Sequence, residues 1–234
     1  MTRLLQEGFT LVELVIVLLI LGFLVAGILG PLSVRIEQKE RQRAQERLEE
    51  IRDAIYGFAI TYGRLPCPDS LSNDGKEDLV GTFPTRTCQN LQGNIPWQDL
   101  QVVQNDPWGN SYLYRVTGSF ADESGTATFT PPSTCTGSTA AHVSFAVCSE
   151  GNMSIFNRTG GTKIIDKISA IVISRGKHAL PAEDSTDEKE NTDADNVFVY
   201  RDFSQASGSE FDDLMIWISP NILKYRMVQA GRLP

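Results

Sequence analysis

A single carboxylate, Glu13, stands at the head of an apolar run, in the order Gly8-Phe9-Thr10-Leu11-Val12-Glu13. From residue 14 to residue 34 no side chain is charged, a stretch of about 21 residues that at about 1.5 Å of helical rise each could cross a bilayer core about 30 Å thick. The stretch reads as a membrane helix. An acid near the head of such a helix is costly unless a cation meets it, which makes Glu13 a candidate site, and the flanking sequence supplies no cation close by. A second set of residues with ligating chemistry is the acidic segment 183–195, with Glu183, Asp184, Asp187, Glu188, Glu190, Asp193 and Asp195, followed further on by Asp212 and Asp213. Calcium takes about six to eight oxygen ligands, and an acidic loop can supply them; a solvated acidic face is the competing reading.

Four cysteines, Cys67, Cys88, Cys135 and Cys148, form an even set beyond the apolar run and read as two disulfides in an oxidising compartment. Three connectivities are open, and pairing Cys67 with Cys88 and Cys135 with Cys148 closes the shortest loops. Zinc is the rival reading, but no C-x-x-C pair occurs, and His142 and His178 lack ligand spacing. The sequence holds no Gly-x-Ser-x-Gly elbow, no phosphate loop and no His-Glu-x-x-His, so no catalytic residue is assigned. Asp69 with Asn73-Asp74-Gly75 and Asp78 departs from the EF-hand order and reads as a turn.

The elements that must position these residues follow from periodicity. A cleaved secretory signal does not fit, because the apolar core is too long, Glu13 interrupts it, and Leu24 stands where a small residue is wanted before Ala26. Beyond the apolar run, Leu48, Ile51, Ile55, Phe58, Ala59 and Tyr62 recur at spacings of three and four, so the helix continues and lays this stripe on a sheet. Gly63 ends it, and Pro66-Cys67-Pro68 prevents its resumption. Pro31, preceded by Gly27 and Gly30, predicts a kink or local unwinding near residues 27–31. Between residues 35 and 53 the Arg and Glu residues read as a solvated face. Asp106-Pro107-Trp108-Gly109 suits a type I turn leading into a strand over 111–117, with Tyr112, Tyr114 and Val116 alternating against Leu113 and Arg115. Further strands are predicted over 142–149, 168–174, 197–201 and 214–219. A loop is predicted over 118–137, and a terminal helix over 222–229, opened by Pro220-Asn221 and stopped near Gly231. The fold class is α+β, one long N-terminal helix against a mainly antiparallel sheet.

The leader of residues 1–8, with Arg3 inside it, then Phe9-Thr10-Leu11-Val12-Glu13 and the long apolar helix, resembles the N-terminal signal of type IV pilins and of the pseudopilins of type II secretion. The resemblance implies that a prepilin peptidase cuts after Gly8 and methylates the new amino group of Phe9. It implies that Glu13 pairs with the cationic N-terminus of a neighbouring pilin or pseudopilin subunit, an ion pair that penalises the lone chain and favours the assembled one. The implied partners are that peptidase, other subunits, an assembly ATPase, an inner-membrane platform and the membrane. The division becomes a leader over 1–8, a membrane and filament-core helix over 9–34, and a periplasmic globular domain over 35–234 that includes the amphipathic half of the helix. Asp106-Pro107-Trp108-Gly109-Asn110 and the aromatic strand after it also resemble the major pseudopilin. Its calcium loop is similar in order to Ser174-Arg175-Gly176 and Asn191-Thr192-Asp193-Ala194-Asp195, which points to Asp193 and Asp195 as calcium ligands. The loop between is longer here and poorer in glycine, and Pro31 falls one residue later than in the major pseudopilins.

The formal net charge of −8 survives removal of residues 1–8, since Arg3 and Glu7 leave together. An acidic domain is a poor match for a phosphate backbone, so no nucleic-acid partner is expected. Arg3 before the helix and Arg35, Lys39, Arg41 and Arg43 after it leave orientation to the cysteines and the resemblance. The alternative function is a single-pass anchored periplasmic binding protein or enzyme that uses the helix only as a tether.

Overall fold

The computed structural model describes residues 10–123, 143–178 and 185–233, with residues 25–34 described in their backbone only. The chain divides into two compact units, 1–42 and 43–234. In the first, α1 (Leu11–Tyr62) opens with exposed apolar side chains such as Leu11, Leu18 and Phe23, and its helical backbone runs through Pro31 without the unwinding expected there. Among the described residues no helix is long and apolar enough to cross a membrane. The described side chains of the apolar run stop at residue 24, so its second half lies outside them.

In the second unit, α1 buries Ala44, Leu48, Ile51, Ile55, Phe58 and Ala59, the three-and-four spacing that keeps one face of a helix on its support. Tyr62, expected on that face, is exposed and instead lies against Phe58, ring centroids 4.3 Å apart. Gly63 closes the helix at φ +75°, its N–H donating to the Ala59 carbonyl at 2.8 Å.

Short antiparallel pieces follow: β1 (Leu79–Val80) with β2 (Thr87–Cys88), then β3 (Gln92–Asn94) and the helical turn α2 (Trp97–Leu100). The Asp106 turn forms as expected, the Gly109 N–H meeting the Asp106 carbonyl at 3.1 Å while Asp106 Oδ1 accepts from the Trp108 and Asn110 amides. It feeds β4 (Leu113–Val116), after which Gly118–Ala121 forms a helical turn, α3, with Phe120 buried, where a loop was expected. The strand expected over 142–149 is absent from 143–149. The Ser149 N–H turns back to the Ala146 carbonyl at 3.0 Å and Ser149 Oγ accepts from the Ala146 amide at 2.9 Å, so this segment makes a turn rather than a ladder.

The remaining elements are β5 (Met153–Phe156), β6 (Lys163–Ile168), β7 (Ala170–Ser174), α4 (Thr186–Thr192), β8 (Val197–Val199), β9 (Ser204–Ala206), β10 (Ser209–Phe211), β11 (Leu214–Ile218) and α5 (Pro220–Gln229). One sheet has the order β11-β7-β4-β3 and is antiparallel throughout; a second has the order β6-β5-β8, with β5 and β8 parallel. Strand β7 is buried along its whole length because both its faces are covered. Ala170 and Val172 join Tyr112, Tyr114, Val116 and the α1 stripe in one core, and Ile171 and Ile173 join Met153, Ile155 and Phe198 in another. The protein is therefore α+β, with the long helix packed against antiparallel sheet.

Candidate functional site

At the head of α1, Glu13 caps its own helix. Thr10 is the residue before the first turn and Glu13 the third within it, and they exchange hydrogen bonds: the Thr10 N–H donates to Glu13 Oε2 at 3.3 Å and the Glu13 N–H to Thr10 Oγ1 at 3.3 Å. Thr10 Oγ1 donates to the same carboxylate oxygen at 3.2 Å. This reciprocal pair satisfies two otherwise orphaned amides and sets the negative charge on the positive end of the helix dipole. In a lone chain the acid thus has an internal use for its charge. Gly8 and Phe9, the residues of the expected processing site, lie outside the described residues.

A second site lies where α4 meets the β10–β11 junction. The sequence Ser185-x-x-Glu188 starts α4 with a capping box, Ser185 N–H to Glu188 Oε2 at 2.8 Å and Glu188 N–H to Ser185 Oγ at 3.3 Å, so a stretch expected as an acidic loop is helical over 186–192. Glu188 Oε1 accepts the Asp212 amide at 2.9 Å. Asn191, fully buried, clamps α4 to β8 by accepting the Val199 amide at 2.7 Å and donating to the Val199 carbonyl at 3.0 Å, and donates as well to Asp213 Oδ2 at 2.8 Å. Glu188, Asp212 and Asp213 are all buried and can bring one carboxylate oxygen each to within 4.8 Å of the others.

Asp212 carries the electrostatic strain of this trio. Its Oδ2 accepts from the Lys177 and His178 amides at 2.9 and 3.1 Å and lies 2.9 Å from His178 Nδ1, whereas its Oδ1 is buried with no hydrogen-bond partner among the described residues. Burial pushes the Asp212 carboxyl above the ordinary carboxylate value; the His178 and Lys177 contacts pull against that, and Glu188 adds to it. Gly176, at φ +59°, lets the loop close over this carboxylate, since a Cβ there would sit 2.5 Å from Asp212 Cγ. Three carboxylates sharing a dry site invite a proton or a cation, and an all-oxygen donor set suits a hard cation. The buried acidic trio can therefore bind a metal ion.

Asp193 and Asp195, the residues expected to bind calcium, fall in a different grouping, with Glu190, that is partly to fully exposed. Burial raises the carboxyls of both Glu190 and Asp193, and neighbouring acids add to the rise. Asp195 Oδ1 accepts the Val197 amide at 2.6 Å, and the Asp195 N–H donates to Asp193 Oδ1 at 3.2 Å. Glu188, Asp212 and Asp213 stand among the acids of the sequence, but their spacing does not set them apart. The available signals were the Ser185-x-x-Glu188 box and the Asp-Asp pair ahead of an apolar strand. Asp69, by contrast, makes the expected turn, accepting the Asn73 and Gly75 amides at 2.8 and 2.7 Å.

Cys67 and Cys88 are joined in a disulfide, Cα atoms 5.2 Å apart, which ties the segment after α1 to β2. Cys148 is disulfide-bonded as well, while Cys135 and His142 lie outside the described residues. Next to the first bridge, the buried Arg64 guanidinium meets Glu77 through two hydrogen bonds, of 2.5 and 2.9 Å, and Glu77 Oε1 also accepts the Cys67 amide.

Comparison with known proteins covers about half of the chain. The family described as the prokaryotic N-terminal methylation motif matches residues 3–29. The type II secretion system core protein G of Pseudomonas aeruginosa is 31% identical over 119 residues, 51% of this chain and 80% of the relative. The protein of the same name from Escherichia coli is 29% identical over 111 residues, 46% of this chain and 70% of the relative, and that from Vibrio cholerae 29% over 113 residues, 48% and 73%. No solved structure matches.

Proposed function

The chain belongs to the family of the type II secretion system core protein G, the pseudopilins, and on that premise we propose that it is a non-enzymatic structural subunit of a type II secretion pseudopilus or a type IV pilus. A prepilin peptidase removes residues 1–8 and methylates Phe9. Residues 9–34 anchor the chain in the inner membrane and then form the filament core, and residues 35–234 stand in the periplasm as the globular part. Its partners are the peptidase, other subunits, and an inner-membrane platform with its ATPase.

The observation that carries this reading is the acid of the methylation motif and what the structure gives it to do. Alone, Glu13 is held by Thr10 and the amides of its own first turn. After cleavage at Gly8 the new amino group lies one residue before Thr10, and in a filament the Glu13 carboxylate would exchange its capping contacts for the amine of a neighbour. An ion pair in low dielectric outweighs neutral amide contacts only when both charges are brought together, so the exchange favours the assembled state. Intact-mass spectrometry of the membrane-extracted chain, from cells with and without the peptidase, tests the pathway. A species starting at Phe9 with one added methyl group, lost without the peptidase, is expected; a chain starting at Met1 in both would rule it out.

For the metal, we propose calcium. The exposed grouping of Asp193, Asp195 and Glu190 keeps the expected place, and the buried trio of Glu188, Asp212 and Asp213 competes with it. Calcium titration of Asp193→Asn and Asp212→Asn separates the two, because only the variant at the true site loses affinity. Loss in neither variant would set calcium aside.

A further inference from the structure

A cavity of about 630 Å³ opens where the first turn of α5 meets the turn around Ser149 and the end of β6. It lies apart from the carboxylate groupings and from the head of α1 and has no part in the reading above. Lys224 lines it, and although this residue is only 9% exposed, its ammonium makes no hydrogen bond or ion pair with any described residue. Burial pushes the Lys224 amine below its ordinary value, and Glu150 offsets this only in part. The stem of Lys224 is packed while its ammonium keeps access to the cavity, and a cation at the wall of an open cavity is positioned for a counter-ion from outside the fold.

The other charges on the cavity wall are already committed. Glu150 is paired with Lys167 at 2.7 Å, and Asp166 is held by Lys163 at 3.2 Å and by Ser154 Oγ at 2.7 Å. Val147, Cys148 and Ser149 complete one side of the wall, and the other comes from the start of α5, which lacks the usual devices of a helix N-terminus. Ser219 makes no side-chain cap, Pro220 carries no N–H, and the first turn has no acid. The first amide to bond back is that of Leu223, to the Ser219 carbonyl at 3.0 Å, so the Asn221 N–H has no partner among the described residues. A free amide on the positive end of a ten-residue helix and an unpaired ammonium, both at one cavity, are the donor set of an oxyanion site. Glu150 and Asp166 on the same wall disfavour a dianion, which leaves a monoanion such as a carboxylate.

We propose that this cavity is a receptor for a carboxylate, taken up by the Lys224 ammonium and the amide end of α5. The volume exceeds that of a bare carboxylate and leaves room for the chain that bears it, either a free small acid or the acidic side chain or C-terminus of a peptide. Amide NMR of the full chain in detergent micelles, titrated with sodium acetate at constant ionic strength against chloride and phosphate, tests this. Saturable shifts at Asn221 and Lys224 with acetate, absent with chloride and weaker with phosphate, are expected. Glu150→Gln, which removes the nearest competing carboxylate, should tighten acetate binding. Lys224→Gln should weaken it by about tenfold, the scale of one charge-assisted hydrogen bond. Two short peptides then name the source, one with a free C-terminus and no acidic side chain, the other C-terminally amidated with one glutamate. Shifts that fail to saturate with acetate, phosphate binding more tightly than acetate, or Glu150→Gln leaving the affinity unchanged would each overturn the proposal, even if Lys224→Gln does not fold.

Discussion

Replacing Arg64 by Met should cost the fold more than any surface change, because of what it leaves behind. The Arg64, Glu77 and Glu123 side chains are 7%, 10% and 13% exposed, and the guanidinium reaches Glu77 Oε1 and Oε2 at 2.5 and 2.9 Å and Glu123 at 3.6 Å. It also donates to the Leu65 carbonyl at 3.2 Å and lies 5.3 Å from the Phe58 ring centroid. Without it, among the described residues the Glu77 carboxylate keeps the Cys67 amide, while Glu123 keeps Arg86. Breaking a buried pair by removing one partner costs about 3–5 kcal/mol, most of it the penalty of the charge left unpaired. At about 1.4 kcal/mol per factor of ten, the unfolded fraction rises at least about a hundredfold. Urea unfolding followed by tryptophan fluorescence, with Trp97 packed on the same core, measures this on the micelle-solubilised chain. Glu77→Leu alone should also destabilise, but the double variant Arg64→Met with Glu77→Leu should fall well short of the sum, since no charge is then orphaned. A single-variant loss below about 1 kcal/mol, or strict additivity in the double variant, would show that water screens this pair.

The other expectations concern the bridge, a close backbone approach and the carboxylates. Replacing Cys67 and Cys88 by Ser opens a loop with a sequence separation of 21 and should lower stability by about 3 kcal/mol on the chain-entropy model, read as a shifted urea midpoint; an unchanged midpoint would count against that loop being flexible when unfolded. Gly151→Ala should cost at least about 1–3 kcal/mol, because its Cβ would lie 1.9 Å from the Ile168 carbonyl oxygen; a variant melting with the wild type would show that β6 yields easily there. Burial raises the Asp212, Glu190 and Asp193 carboxyls in the fold. Their contribution is therefore present in full below the unfolded carboxylate pKa and is lost as pH rises through the raised folded values, so these three groups weaken the metal-free fold from acid toward neutral pH, against Asp78 and Asp166, whose lowered carboxyls act in the opposite sense. Calcium should reverse this at neutral pH, by about 2.7 kcal/mol at a hundred times its dissociation constant, and do little in acid. Equal calcium-induced shifts of the melting temperature at both pH values would contradict the assignment.

What the sequence made legible was mostly local. The α1 stripe from Leu48 to Ala59, its stop at Gly63, the Asp106 turn and the alternation of Tyr112, Tyr114 and Val116 each depend on a few neighbouring residues, and all formed. The segment 143–149 also alternates, but Ser149 satisfies the Ala146 amide through its own side chain, an option that propensity does not foresee. The parallel pairing of β5 with β8 joins Ser154–Phe156 to Val197–Val199 across a long stretch of chain, and only the tertiary fold sets that register. The acidic trio was hidden for the same reason. Glu188 and Asp212 are 24 positions apart, joined through an amide-to-carboxylate hydrogen bond, whereas Asp193 and Asp195 advertise themselves by adjacency.

Assembly driven by Glu13, and not anchoring alone, is what the proposed filament role requires. Its most direct test is to co-express wild-type chain or Glu13→Ala with the peptidase and the assembly machinery, to confirm by mass that both are cleaved and methylated, and then to recover sheared filaments by sedimentation. Filaments from the wild type, with the processed variant left in the membrane fraction, are predicted. Filament yields from Glu13→Ala equal to those of the wild type would contradict the account.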